Sequence, residues 1–155
     1  QGILLWFFLL KEKIQKIMEG KARASQTIIQ LEAEGDYYIK GGPIRFGQIF
    51  MNLLSNAIDA CAQNKPTAGI IKITIKKQTD SNKLLISVKD NGIGIPPDHL
   101  HKIFNIFFTT KPEDSKNVGL GLSIVKEIIE NDFQGAITVD SQLGKGSAFT
   151  VSLPI

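Results

Sequence analysis

Hydrophobic and polar positions recur along this chain with two different periods, and the changes between them mark out the elements. The long stretch GGPIRFGQIFMNLLSNAIDACAQN (41–64) repeats its apolar residues every three or four positions, the signature of an amphipathic helix. Pro43 sits near its start, where a missing N–H does no harm. Its apolar side carries Ile49, Phe50, Leu53, Leu54, Ala57, Ile58 and Cys61. The other side carries Gln48, Asn52, Asn56, Asp59 and Gln63. In GIIKITIKKQTDSNKLLISVKDNG (69–92) the period falls to two. Ile71, Ile73 and Ile75 alternate with polar residues, and Leu84, Ile86 and Val88 alternate with Leu85, Ser87 and Lys89 around the polar turn TDSN, which predicts two strands. QTIIQLEAEG (26–35) and DYYIKG (36–41) read as two shorter strands with a turn at Gly35-Asp36. The segment GAITVDSQLGKGSAFTVSLP (135–154) reads as a closing hairpin turning near Gly144-Lys145-Gly146.

Further helices are predicted over residues 4–19, with Leu4, Phe7, Phe8, Ile14 and Ile17 on one side, and over GLSIVKEIIEND (121–132). A short helix opened by proline is expected in PPDHLHKIF (96–104), and a loop over 109–118. Hairpins mixed with helices predict an α+β fold, a two-layer sandwich of one mixed, largely antiparallel sheet with about three helices on one face. There is no internal repeat and no low-complexity tract.

Composition narrows the picture without deciding it. A chain of 155 residues, 43% hydrophobic and 21% charged, fits one globular domain. Cys61 is the single cysteine, so no internal disulfide can form and a reducing compartment is expected. The net charge is +3. Of 18 Lys and Arg residues only Arg23 and Arg45 are arginines able to fork onto a phosphate. A scattered lysine surface of this kind argues against a nucleic-acid partner. The apolar run ILLWFFLL (3–10) is far short of the roughly 20 residues that span a bilayer. It reads as a buried or partner-facing helix, with a membrane remnant as the other reading. The chain opens on Gln and carries no cleavage-site pattern, so it is expected to be a piece of something longer rather than a secretory precursor.

Three constellations could carry chemistry. Asn52, Asn56 and Asp59 share one helix face. Asparagine is a poor choice for helix stability, and an amide oxygen suits Mg²⁺, which takes its counter-charge mainly from substrate phosphates; a solvated helix face is the bland reading. Asp90 closes an apolar strand and is expected to be partly buried, where a carboxylate needs donors. The exocyclic amine of adenine would be one such donor, with Gly92 and Gly94 allowing a ring close to the backbone; an ordinary Asp-Asn-Gly turn is the alternative. Gly119 and Gly121 precede a helix whose free N–H groups could hold an anion. A Walker loop is absent, since GKGS (144–147) lacks the preceding glycine, and Ile124 takes the third glycine's place in a dinucleotide fingerprint.

Taken in order, NLLSNAIDA (52–60), DNGIGIP (90–96), IFNIFFTTK (103–111) and GLGLSIV (119–125) resemble the asparagine, first glycine, phenylalanine and second glycine boxes of the histidine-kinase catalytic ATP-binding domain. This is the Bergerat fold shared with gyrase, Hsp90 and MutL. The resemblance covers about 35–155, includes SQLGKGSAFTVSLP (141–154), and leans toward nitrogen-regulation-like sensor kinases. It implies ATP and Mg²⁺ as cofactors, with Asn56 as the metal ligand and Asp90 reading adenine. Around the nucleotide it implies Asp59, Gly92, Gly94, Ile95, Thr110, Lys111, Gly119, Leu120, Gly121, Leu122 and Ser147. Gly94 would leave room beside the base, and Phe104, Phe107 and Phe108 would form the base of a lid. Asn52 and Lys111 are the catalytic candidates.

Gyrase-like relatives carry a glutamate where this chain has Asn52, and an amide cannot act as a general base toward water. The resemblance therefore implies phosphoryl transfer to a histidine on a separate dimerisation domain, and through it to a response regulator. His99 and His101 read as exposed helix residues, not as that acceptor. Residues 1–24 are expected to be a linker helix and 25–155 the ATP-binding domain, monomeric as this piece. The parent is expected to place it in the cytoplasm, whether or not it is membrane-bound. Asn117-Val118 stand where the family usually has an extra glycine pair. The alternatives are a gyrase- or Hsp90-like ATPase, an anti-sigma-type serine kinase, or a degenerate nucleotide-binding interaction module.

Overall fold

The computed structural model describes residues 2–5, 7–64, 68–110 and 121–155, with side chains in the first helix described only at Glu12, Ile14–Lys16 and from Glu19 onward. The expected loop over 109–118 therefore lies almost wholly outside the described residues, as do the side chains of Leu4, Phe7, Phe8 and Ile17.

Strand β1 (Gly2–Leu5) leads into helix α1 (Phe7–Ala24), followed by β2 (Thr27–Ala33), β3 (Tyr37–Lys40), α2 (Pro43–Gln63), β4 (Gly69–Lys77) and β5 (Lys83–Asp90). After the run of turns come α3 (Gly121–Glu127), a π-helical turn (Ile128–Asp132), β6 (Ala136–Gln142) and β7 (Gly146–Pro154). Five strands form one sheet in the order β2-β4-β5-β7-β6. The β2–β4 pair is parallel and the other three pairs are antiparallel, which is the mixed sheet expected.

Period-two burial makes the sheet two-sided. Ile71, Ile73 and Ile75 of β4, Leu84, Ile86 and Val88 of β5, and Phe149, Val151 and Leu153 of β7 all point into the core. Helix α2 lies over them with Phe46, Ile49, Phe50, Leu53, Leu54, Ala57, Ile58 and Cys61 buried. Each Val, Leu, Ile or Phe side chain so removed from water stabilises the fold by about 1.5–3 kcal/mol. Phe46 makes edge-on contacts with Phe50 and Phe133, at 5.2 and 5.7 Å between centroids, tying α2 to the segment that follows α3. Helix α1 docks beside α2, with Ile14 and Ala22 in the same buried cluster.

Three expectations need correction. The helix expected at 4–19 starts later and runs to Ala24, and Gly2–Leu5 are a strand. That strand pairs antiparallel with β3, which has no other partner strand among the described residues; a pairing between positions so far apart overrides the local helical pattern. Strands β2 and β3 form as expected on either side of Gly35, but they belong to different sheets. PPDHLHKIF is not a helix but successive turns, with the amides of His99, Lys102, Asn105 and Phe108 each bonding a carbonyl three residues back. Pro97 pushes Pro96 out of the helical region, and neither proline can donate. Finally, the helix expected over 121–132 widens into the π turn after Glu127. The extra residue per turn lets Ile128, Ile129 and Phe133 all reach the core.

Candidate nucleotide-binding cleft

The inward rows of β5 and β7 both end in a polar residue. After Leu84, Ile86 and Val88 comes Asp90; after Leu153, Val151 and Phe149 comes Ser147. The two stand opposite each other in the ladder. Asp90 is 5% exposed, and its Oδ1 accepts hydrogen bonds from the backbone amides of Gly92 at 2.8 Å and Ser147 at 3.3 Å. Its Oδ2 accepts from no group among the described residues. Burial pushes the Asp90 carboxyl above the ordinary carboxylate value, and the two N–H groups pull the other way. Burial and the nearby Asp90 charge also raise the Cys61 thiol, which packs behind it.

Beyond Asp90 the backbone is stitched down on two sides. Asn64, the residue that caps α2, donates through Nδ2 to the carbonyls of Asn91 and Gly92, and Ile93 N–H donates to the Ala60 carbonyl. From the other side Gly144 N–H donates to the Ile93 carbonyl, and Ile95 N–H to Ser141 Oγ, which also meets Ser147 Oγ at 2.8 Å. The glycines serve this packing. A Cβ on Gly92 would come within 2.5 Å of the Ala60 carbonyl carbon. Gly94 has φ +73°, and a Cβ there would run into the Gln142 carbonyl. The side of its Cα where a Cβ would stand faces the β6–β7 turn, while Gly94 itself lines the cleft.

These elements enclose a cleft of about 340 Å³. Of the residues anticipated from sequence, Asn56, Asp59, Asp90, Gly94, Ile95, Phe108, Thr110, Gly121, Leu122 and Ser147 line it. Asn56 sits midway along α2, with no side-chain hydrogen bond among the described residues. Asn52 is outside the lining; its Nδ2 donates to the Gly121 carbonyl at 3.4 Å, linking α2 to the start of α3. Gly92 is also outside the lining. Phe104 packs edge-on against Phe149 at 6.4 Å and under the Lys126 ammonium at 5.7 Å, also outside the lining. Phe107, expected at the lid's base beside it, is 72% exposed, with φ +65°. Lys111, Gly119 and Leu120 fall outside the described residues.

Sequence reasoning missed other walls. Ile93, Ile103, Leu143 and Phe149 supply apolar surface. His99 does not sit exposed on a helix as expected. It lines the cleft, edge-on to Phe108 at 5.4 Å, with Nδ1 buried and without a partner. His101 is exposed, as expected. Ser141, which holds the Ile95 amide, had a sequence signal in being a hydroxyl on the inward side of a strand.

An anchored carboxylate at one end, a free mid-helix amide further along and apolar walls between them suit a planar base bearing an amine and a polar tail. Residues 41–155 match the family described as histidine kinase-, DNA gyrase B-, and HSP90-like ATPase. Sporulation kinase A of Bacillus subtilis strain 168 is 37% identical over 143 residues, covering 92% of this chain and 22% of that protein. Sensor histidine kinase ZraS of Salmonella typhimurium strain LT2 is 41% identical over 132 residues, 85% of this chain and 25% of that protein. The chain thus spans about a quarter or less of the length of these relatives. A nucleotide-free catalytic domain of histidine kinase ThkA superposes with a TM-score of 0.81 at 30% identity, covering 99% of this chain and 95% of that one. ThkA has also been solved in complex with the response regulator protein TrrA, and that structure matches with a TM-score of 0.76 at 29% identity, over 99% of this chain and 41% of that one. The chain belongs to the histidine kinase-, DNA gyrase B- and HSP90-like ATPase family, as a catalytic ATP-binding domain of the histidine-kinase kind.

Proposed function

We propose that this chain binds ATP with Mg²⁺ and donates the γ-phosphoryl group to a histidine on a separate dimerisation domain, within a two-component sensor kinase. The observation that carries the reading is Asp90: one oxygen held by two backbone amides, the other left to the cleft. A fixed acceptor between apolar walls suits the exocyclic amine of adenine. The anchoring prevents the carboxylate from turning away, so no ordering cost is added on binding.

In this reading Asn56 holds Mg²⁺ through its amide oxygen, beside Asp59. The ion supplies charge neutralisation across the phosphates. Gly121 and Leu122, with Gly119, Leu120, Thr110 and Lys111, form the phosphate side. Phe104 and Phe108 support it from below, and Ser147 and Ile95 complete the base end. The acceptor imidazole attacks the γ-phosphorus, the bond to the β–γ bridging oxygen breaks, and ADP leaves. The chain's part is positioning and charge stabilisation.

Asn52 spends its amide as a donor to Gly121 and offers no base for water, which supports transfer over hydrolysis. The partners in this reading are the histidine-bearing domain and, through it, a response regulator. Residues 1–24 connect toward that domain and 25–155 bind the nucleotide, with the connecting helix docked through Ile14 and Ala22. The chain alone acts as a monomer on the cytoplasmic side. No described helix is long and apolar enough to cross a membrane.

The test is a calorimetric titration of ATP with Mg²⁺ and then with EDTA, while phosphate release is followed in the same sample. Mg²⁺-dependent binding with negligible release is expected, and Asn56→Ala should lose the Mg²⁺ dependence while keeping recognition of the base. Steady release would favour a gyrase-like ATPase. No binding at millimolar ATP would sink the reading and leave an interaction module.

A further inference from the structure

Ser141 belongs to none of the four boxes and is not part of the cleft's lining, yet three segments of the base end meet at its hydroxyl. Its Oγ accepts from the Ile95 amide at 2.8 Å, donates to the Gly146 carbonyl at 3.0 Å and lies 2.8 Å from Ser147 Oγ. A hydroxyl has one proton and two lone pairs. The Ser141 proton goes to the Gly146 carbonyl and one lone pair is taken by Ile95. The bond to Ser147 must then be donated by Ser147, into the second lone pair. This arrangement makes all three bonds at once. If Ser141 donated to Ser147 instead, the bond to Gly146 would be given up.

The consequence is felt inside the cleft. Ser147 lines it, is 6% exposed and stands opposite Asp90 in the ladder. Side chains paired in this way on one face have Cβ atoms about 5 Å apart. With its proton turned to Ser141, Ser147 offers the cleft lone pairs alone, and the free Oδ2 of the Asp90 carboxylate is an acceptor as well. The base end therefore presents two neighbouring acceptors. An exocyclic amine brings two N–H groups to meet them. A 6-oxo purine brings a carbonyl oxygen and an N1–H along the same edge. It would match Asp90 and Ser147 together only if Ser147 turned its proton outward.

We infer that Ser141 is a positioning residue for base selection: by taking the Ser147 hydroxyl proton it fixes Ser147 as an acceptor, and so tunes the base end toward a 6-amino purine and against a 6-oxo purine. This rests on the nucleotide reading proposed above. It assigns part of the selection to a serine outside the cleft's lining, acting through the one beside Asp90.

The experiment compares ATP with inosine triphosphate, which carries O6 and N1–H where ATP carries the amine and a bare N1. Both are titrated by calorimetry with Mg²⁺ into the wild-type chain, Ser141→Ala, Ser147→Ala and the double variant, with melting temperatures recorded. Wild type should bind ATP the more tightly. Ser141→Ala should narrow that preference about three- to tenfold, the contribution of one hydrogen bond, because Ser147 is then free to donate to O6. Ser147→Ala should weaken ATP and leave inosine triphosphate as in wild type. On that background Ser141→Ala should bring inosine triphosphate no gain. A preference left unchanged by Ser141→Ala, even with both affinities lowered, would make Ser141 merely structural and overturn the inference. Equal effects of Ser147→Ala on the two nucleotides would mean that its hydroxyl does not read position 6, and a gain that survives in the double variant would mean that the effect does not pass through Ser147; either result overturns it. A wild-type chain that binds both equally overturns it while leaving ATP binding in place, whereas one that binds neither brings down the nucleotide reading itself. If Ser141→Ala melts too low for titration, the Ser147→Ala comparison decides alone.

Discussion

Two glycine-bearing segments face each other across the cleft, and they hold glycine for opposite reasons. At the base end, Gly92 and Gly94 are jammed: backbone from α2 and from the β6–β7 turn occupies the space where a side chain would begin. At the other end, Gly121 is open toward the described residues, of whose atoms the nearest to a Cβ there would be Asn56 Nδ2 at 3.9 Å. The same residue type, in similar Gly-x-Gly spacing, is at one end a requirement of packing and at the other a clearance on the cleft. A glycine motif therefore does not announce whether it serves the fold or the ligand; the neighbours of the missing Cβ do.

The largest effect that tests this contrast is Gly94→Ala. With φ +73° and the Gln142 carbonyl in the way, it should lose about 3 kcal/mol of stability, read as a shifted urea midpoint with an unchanged slope. A loss under 1 kcal/mol would mean that the stitched loop is looser than its hydrogen bonds imply.

Next comes Asp90→Asn, which places donors against the adenine amine. An unpaired polar group costs roughly 1–3 kcal/mol, so ATP affinity should fall about 10- to 100-fold. Unchanged affinity in a titration would remove Asp90 from its proposed role.

Gly121→Ala should leave stability within about 1 kcal/mol of wild type or raise it, since alanine is the better helix former. Any change should appear in ATP affinity instead. A fall in melting temperature comparable to that of Gly94→Ala would erase the distinction between the two segments.

The smallest effect is one of pH. Burial holds the Asp90 carboxyl above its ordinary value. Its contribution to stability is therefore fully present below the unfolded carboxylate range and is lost as pH rises through the raised folded value. The stability of wild type relative to Asp90→Asn should improve as pH is lowered through that window, in urea melts at stepped pH. Parallel curves would mean that the carboxylate is better solvated than its burial suggests.

Much of this molecule was legible in advance because its pattern is local. The stripe on α2, the alternation on β4 and β5 and the β6–β7 hairpin follow from side-chain periods that any short window reveals. Asp90 could be placed at the buried end of β5 by continuing the row of Leu84, Ile86 and Val88. What stayed hidden depended on partners distant in the chain. Gly2–Leu5 become a strand only because β3 is there to pair with them. His99 turns into the cleft because Pro96 and Pro97 replace a helix by turns. Lys21 meets Asp59 only because α1 docks beside α2.

Periodicity and the four boxes in order were enough for the α+β class, the sheet's inward faces and the likeness to an ATP-binding domain, because each depends on residues close together in sequence. Which glycines are packed and which are open, which oxygen of Asp90 is held, and that Lys21 reaches Asp59 required the assembled fold. Those features are set by atoms that approach within hydrogen-bonding or van der Waals distance only after long loops have closed, and no local pattern encodes such distances.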